Sequence, residues 1–403
     1  MISDANRIAI ERIAACEPVL TGIECASSAL GLGDMELGHA GPPFRDPLEI
    51  PPLVLNALAG AAVHEGWAAD LQQGRALVRS GAIGLHANHD LGTVSPMAGI
   101  VRPSQPLIRV DNRAGAGRTW ATLAEAGRRA LRFGVYDPDS AAGLRYVDEV
   151  VAPAIARVLP PEGLPVWPLV AHGLCQGDDV HQRNIGGMSA FLAALPELSG
   201  EVRAWLSGVP QHFLNYAMAA AKLCLDQASG VEGSSIVTAI TRNGVDCAIR
   251  VAGCGKTWFH APASGHVGGF FEGFSVADAQ RDLGDSAIVE AMGLGGAVAH
   301  CAPEIARTMQ ADWGQAQLEG RRMRSLFVAR APWFDPALAA PDGIGLGLCA
   351  RAASASGVRI HTGIGHRDGF TGWIGVGLAR APASAFTAAV EALENTPSPV
   401  AAT

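Results

Sequence analysis

Lysine is nearly missing from this chain. Of 403 residues, 30 are lysine or arginine, and only Lys222 and Lys256 are lysine. The positive charge is therefore almost all guanidinium, which a general composition bias toward arginine explains first; the two ammonium groups are mildly favoured as positions that need a compact point charge. There is no basic block and the net charge is -8, which argues against a nucleic-acid partner or an anionic membrane surface. No apolar run long enough to span a bilayer is uninterrupted; Gly, Pro or charge breaks each one. The start of the chain, Met1 to Arg12, lacks the apolar core of a signal peptide, so the cytoplasm is the expected compartment. The eight cysteines, at 16, 25, 175, 224, 247, 254, 301 and 349, form no CxxC pair. They read as reduced, mostly buried thiols, not as a disulfide framework or a zinc site. A Walker A loop is absent, because Gly253-Cys254-Gly255-Lys256-Thr257 matches only its tail, and no GxSxG elbow occurs. No cofactor and no metal are expected.

What is present fits a large globular enzyme: 49% apolar and 17% charged residues, with 49 glycines. Length and pattern suggest an α+β, multi-subdomain fold with a mainly helical middle segment and a mixed-sheet C-terminal half. The divisions are an N-terminal α/β subdomain at 1–117, a mainly helical subdomain at 118–230 and a C-terminal mixed α/β subdomain at 231–403. A short helix followed by a strand from Pro18 is expected first, then a helix from Leu53 to Trp67 with apolar residues at helical spacing. Residues 84–99 read as a polar loop, with strands around Gly99 and Leu107. Trp120 to Gln227 reads as mainly helical. Strands are expected at 235–240, 246–251 and 257–260, with Arg242-Asn243-Gly244 as a turn signal. A helix over 286–299, strands near 325 and 358, and a closing helix over 384–393 complete the pattern. The tail from Asn395 reads as frayed.

The densest chemistry lies at Gly177-Asp178-Asp179-Val180-His181-Gln182-Arg183-Asn184, between two apolar stretches. A polar cluster drawn into the body of a protein costs free energy unless it is paired or used. If Asp178 caps a helix, Asp179 and Arg183 share a face, with Asp178 and His181 nearby. His181 then reads as a general acid/base oriented by Asp178 or Asp179, and Arg183 and Asn184 as substrate-holding groups. A solvated, capped helix with one salt bridge is the competing reading. On the helix from Phe213, Asn215 and Lys222 recur two turns apart and suit a cleft wall, or equally a solvated face. Ser234 and Ser235 beside Gly233, with Arg242 and Asn243, suit an anion cradle or merely a strand start. Asp285 and Ser286 open a helix in a glycine-rich stretch, and His361 and His366 flank a polar turn.

In order along the chain stand HAGPP at 39–43, EGW at 65–67, SPMAGIVRPSQP at 95–106, LRFGVYD at 131–137 and GDDVHQRN at 177–184. They continue with HFLNYAMAAAK at 212–222, GSSIVTAITRNG at 233–244, WFHAPA at 258–263, GDSAIVEAMGLGG at 284–296 and HTGIGHRDG at 361–369. This series resembles the AllG (YlbE-like) family, a component of the bacterial oxamate carbamoyltransferase of allantoin catabolism. The resemblance implies an α+β fold and carbamoyl transfer between oxalurate and phosphate, giving oxamate and carbamoyl phosphate. The implied partners are a small anionic ureido or amide substrate, phosphate, and either further copies of the chain or the other carbamoyltransferase subunits. Two alternatives stay open: a hydrolase of a ureido or amide C–N bond, and a non-catalytic subunit of a carbamoyltransferase complex.

Overall fold

The computed structural model describes residues 2–309, 312–339 and 342–395. Its organising element is the helix His212–Asp226, in which every residue from His212 to Leu225 is buried. A helix that is apolar over most of its surface must be covered on all sides. One sheet, ordered Thr93–Val94, Arg118–Thr122, Pro106–Asn112, Pro18–Cys25 and Leu164–Pro165, packs on one side of it. On another side lies a second sheet, ordered Phe259–Pro262, Asp246–Val251, Val237–Asn243 and Leu283–Gly284. The helices Asp4–Ala14, Val166–Cys175, Ile185–Ala194 and Ile288–Ala291 close the remaining faces. Phe213, Tyr216, Met218, Leu223 and Leu225 join the main core cluster, and each large side chain so buried contributes about 1.5–3 kcal/mol. A second cluster sits under the helix Pro52–His64.

The α+β class holds, and the helix from Leu53 and the closing helix, Ala383–Asn395, form close to their expected bounds. The sheets of the second half are antiparallel, not mixed, among the described residues. Hairpin-linked neighbours pair this way without a crossover. Parallel pairing falls instead in the first third, between Glu36–His39 and Gly84–Ala87 and between Thr93–Val94 and Arg118–Thr122. The first of these makes part of the expected loop at 84–99 a strand, because its partner lies far upstream. The expected strand at Gly99 reduces to a single bridge between Gly38 and Val101. The expected helix over 286–299 breaks into Ile288–Ala291 and a 3-10 segment, Gly295–Cys301. Gly293, between them, and Gly295, at the start of the second, stand at φ +85° and +56°, backbone that ends a right-handed helix. The expected frayed tail beyond Asn395 lies outside the described residues. Among the described residues no helix is long and apolar enough to cross a membrane.

Candidate active site

The octet is not a helix. Residues 178–184 form an irregular turn between the helices Val166–Cys175 and Ile185–Ala194, with Val180 at φ +60°. Asp179 builds this turn. Its Oδ1 accepts from the backbone amides of His181, Gln182 and Arg183 at 3.1, 2.9 and 2.8 Å. Asp178 does different work: Oδ1 accepts from Arg183 Nη1 at 2.5 Å and Oδ2 from the Gly187 amide at 2.8 Å. The expected Asp179–Arg183 pair is therefore an Asp178–Arg183 pair, because turn geometry and not helical spacing decides which side chains meet. Burial drives the Asp178 carboxyl above its ordinary range despite the Gly187 and Gly186 amides and Arg183. Burial also opposes ionisation of Asp179, but His361, the Arg183 amide and the His181 charge outweigh it and hold that carboxyl below its ordinary range.

Neither aspartate orients His181. Glu290 does: the His181 Nδ1–H faces both carboxylate oxygens, at 2.8 and 2.9 Å. Since a carboxylate only accepts, Nδ1 carries the proton and Nε2 is left for other chemistry. Glu290 has no exposed surface, and its Oε1 also accepts from the amides of Gly296 and His361 at 3.0 and 3.1 Å. His361 in turn donates from Nδ1 to Asp179 Oδ2 at 2.6 Å, and the Gly295 amide donates to the Asp179 carbonyl at 2.8 Å. The result is a closed network of two carboxylates and two imidazoles drawn from three distant segments. Sequence reading missed Glu290. Its one signal was an acid inside the otherwise apolar run Ala287-Ile288-Val289-Glu290-Ala291-Met292, a residue type almost never fully buried unless paired.

His181 opens onto a narrow cleft whose other walls include Gln182, Gln211, Ser286, Gly363, Trp373, Phe133 and Arg132. Gln211 ties the cleft together, donating to the Gln182 carbonyl at 2.6 Å and accepting from Asn184 Nδ2 at 2.9 Å. The Ser286 hydroxyl, the Gln182 carboxamide and the Arg132 guanidinium make no hydrogen bond with any described residue. Arg132 lies over the Phe133 ring at 5.0 Å. Burial lowers its pKa, with Glu125 opposing, yet a guanidinium so placed stays charged near neutrality. It was not singled out from the sequence, although it lies in LRFGVYD. A donor-rich cleft with one free cation and one oriented imidazole can bind a small anion and move a proton.

The remaining sequence candidates divide. Asn184 supports the turn, donating also to the His181 carbonyl at 3.1 Å. Asn215 lines a smaller chamber beside the cleft. Arg242 is not a free clamp. It forms a bidentate pair with Asp282 at 2.7 and 3.1 Å and donates to the Gly284 carbonyl. The Lys222 ammonium is taken by Asp226 at 2.8 Å and the His89 carbonyl at 3.3 Å, two turns along the helix from Asn215. Asn243 holds the HAGPP loop through the Pro42 carbonyl at 3.0 Å and accepts from the amides of Val245 and Asp246. Ser234 and Ser235 cradle no anion, since both hydroxyls bond to Asn6 of the first helix. Asp285 is saturated by the Gly41 and Ser95 amides, Thr241 and Asn88, and fastens the HAGPP loop and the 88–95 segment to the strand Val237–Asn243. His366 pairs with Asp368 at 2.9 Å in the hairpin turn. Among the described residues no three His, Cys, Asp or Glu side chains are grouped to hold a metal.

Comparison with known proteins agrees with this architecture. A family model described as oxamate carbamoyltransferase subunit AllG matches residues 83–286. The oxamate carbamoyltransferase subunit AllG of Escherichia coli K12 is 35% identical, over 97% of both chains. The uncharacterized protein YahG of the same organism is 30% identical, over 96% of this chain and 85% of its own. A crystal structure of a conserved protein of unknown function from Enterococcus faecalis V583 superposes with a TM-score of 0.92 at 30% identity, over 97% of both chains. The segment matched by the family model carries the octet and runs to Ser286, so the chain belongs to the AllG family.

Proposed function

We propose that this chain carries a carbamoyl-transfer site at the cleft beside His181, acting on a ureido or amide C–N bond of the oxalurate and oxamate type with phosphate as acceptor. The observation that carries the reading is the His181–Glu290 pair: an imidazole held by a fully buried carboxylate through one nitrogen, with the other facing a cleft of unpaired donors. A phosphate oxygen attacks the ureido carbon, the C–N bond breaks, and the leaving nitrogen takes a proton from His181 Nε2. In the reverse direction the neutral Nε2 removes that proton from the amide. Charge that develops on the carbamoyl oxygen meets the Ser286 hydroxyl and the Gln182 carboxamide, which are available as donors because no described residue uses them. Arg132 faces an anionic end of the ligands. The Escherichia coli relative is a carbamoyltransferase subunit, which supports work within a complex; the compartment we propose is the cytoplasm.

The test is oxalurate cleavage by the purified chain, alone and with its partner subunits, with and without phosphate. His181→Gln should lower turnover by about 10²–10⁴-fold, the usual worth of a general acid/base. Turnover that does not need phosphate would make the chain a hydrolase. A His181→Gln variant that folds, assembles and keeps full turnover in the complex would make it a non-catalytic subunit.

A further inference from the structure

Asn215 has no exposed surface and lies on the central helix. Its Nδ2 donates to the Thr122 carbonyl at 2.5 Å and to the Thr122 hydroxyl at 3.2 Å. Turning the amide over would set oxygen against that carbonyl, so the assignment of the two atoms is fixed by the partner. Oδ1 is therefore left as a buried acceptor with no partner. A bare buried acceptor costs about 1–3 kcal/mol, and native folds keep few of them without a use. The chamber that Asn215 lines also contains Thr122, Glu125, Pro96 and Arg132, and the last two line the His181 cleft as well. The two spaces are thus neighbours that share a cation, with an acceptor at one end and the imidazole at the other.

We propose that this inner chamber is a specificity pocket for the amino group of the transferred carbamoyl unit, with Asn215 Oδ1 accepting its N–H and Arg132 holding the adjoining phosphate. The inference rests on the carbamoyl-transfer reading and names what selects its group. A carbamoyl unit differs from an acetyl unit by NH2 in place of CH3, almost the same in shape and opposite in hydrogen bonding. Only the amino group satisfies Oδ1; a methyl placed there strips the acceptor of water and gives nothing back. Sites built to hydrogen-bond a polar group reject an analogue that lacks it far better than apolar pockets distinguish size. The second donor-hungry group of the chamber, the Glu125 carboxylate, reinforces the same preference while offsetting the charge of Arg132.

The experiment uses two stable probes, phosphonoacetamide and 2-oxopropylphosphonate, which differ only by NH2 against CH3. Binding to the full chain, alone and in its complex, is measured by calorimetry. The amide should bind more tightly by on the order of tenfold to a hundredfold, the worth of one buried acceptor. Asn215→Ala, or Asn215→Ser should the first not fold, should cut that preference to below about threefold. Arg132→Gln should weaken both probes together. Equal affinity of the two probes for the native chain, or an unchanged preference in the Asn215 variant, overturns the assignment. If the probes bind equally while His181→Gln still abolishes phosphate-dependent turnover, the chamber is wrong and the carbamoyl-transfer reading stands. If neither probe binds and turnover needs no phosphate, the reading itself fails.

Discussion

Replacing Glu290 by Gln changes one atom and one charge at the centre of the network. Oε1 of the native residue serves the Gly296 and His361 amides as well as His181, and the Gln carbonyl can keep the two amide bonds. The new NH2 then falls where Oε2 sat, 2.9 Å from His181 Nδ1. Two donors cannot face each other, so the imidazole moves its proton to Nε2 and accepts through Nδ1. The charge-assisted bond that held the imidazolium is lost, worth about 1.5–3 kcal/mol. That converts to a fall in turnover of roughly 10- to 150-fold, smaller than the about 10²–10⁴-fold expected for loss of the acid/base itself, as suits a residue that acts through it. Stability should change little, whereas Glu290→Ala strands three buried donors and should cost about 3 kcal/mol or more. Turnover is read in the complex, and stability by urea unfolding followed by circular dichroism. A Gln variant with native turnover and native stability would show that Glu290 does not set the proton on His181, and the acid–base assignment would fall with it.

Three further outcomes follow from the same packing. A Cβ at Gly295 would lie 2.1 Å from Glu290 Oε1, on backbone at φ +56°, so Gly295→Ala should push the carboxylate off His181. We expect lowered turnover together with a loss of about 1–3 kcal/mol in unfolding free energy, and native values for both would refute the packing argument. Burial holds the His39 and His212 imidazoles down at about 4, while the unfolded chain takes up those protons near 6.5. The unfolded state then binds more protons between these limits, so stability should fall as pH drops from about 6.5 to about 4, by as much as about 3 kcal/mol per histidine; urea unfolding free energies that stay flat across this window would refute it. Arg242→Gln leaves Asp282 buried without its bidentate partner and should destabilise by about 3–5 kcal/mol, measured as a lower urea midpoint with turnover per folded molecule largely kept.

The sequence carried the polar density of the candidate site better than its wiring. GDDVHQRN stands out as polar groups between apolar flanks, and the flanks do form helices. Its internal pairing was misread because helical i,i+4 spacing was applied to a turn, where one left-handed residue, Val180, redirects everything after it. Arg183 went to the wrong aspartate for that reason. Glu290 was hidden by distance: its imidazole partner is 109 residues away, and an acid in an apolar run looks locally like the solvated edge of a helix. Ser234 and Ser235 had the composition of an anion cradle, but a side chain 228 residues away in sequence had taken the hydroxyl. Local pattern gives elements and polar density; which donor reaches which acceptor is decided by long-range packing.

The central helix His212–Asp226 has a consequence for how the molecule comes apart. Its cover is supplied by strands from both halves of the chain and by the first helix, so no part can leave without wetting it. Its amides should exchange with solvent only when the whole chain opens, and the slowest of them should report the global unfolding free energy. Damage far from the cleft, at Asn6 for example, would then be registered at His181 as a lower population of intact sites, not as a change in their chemistry.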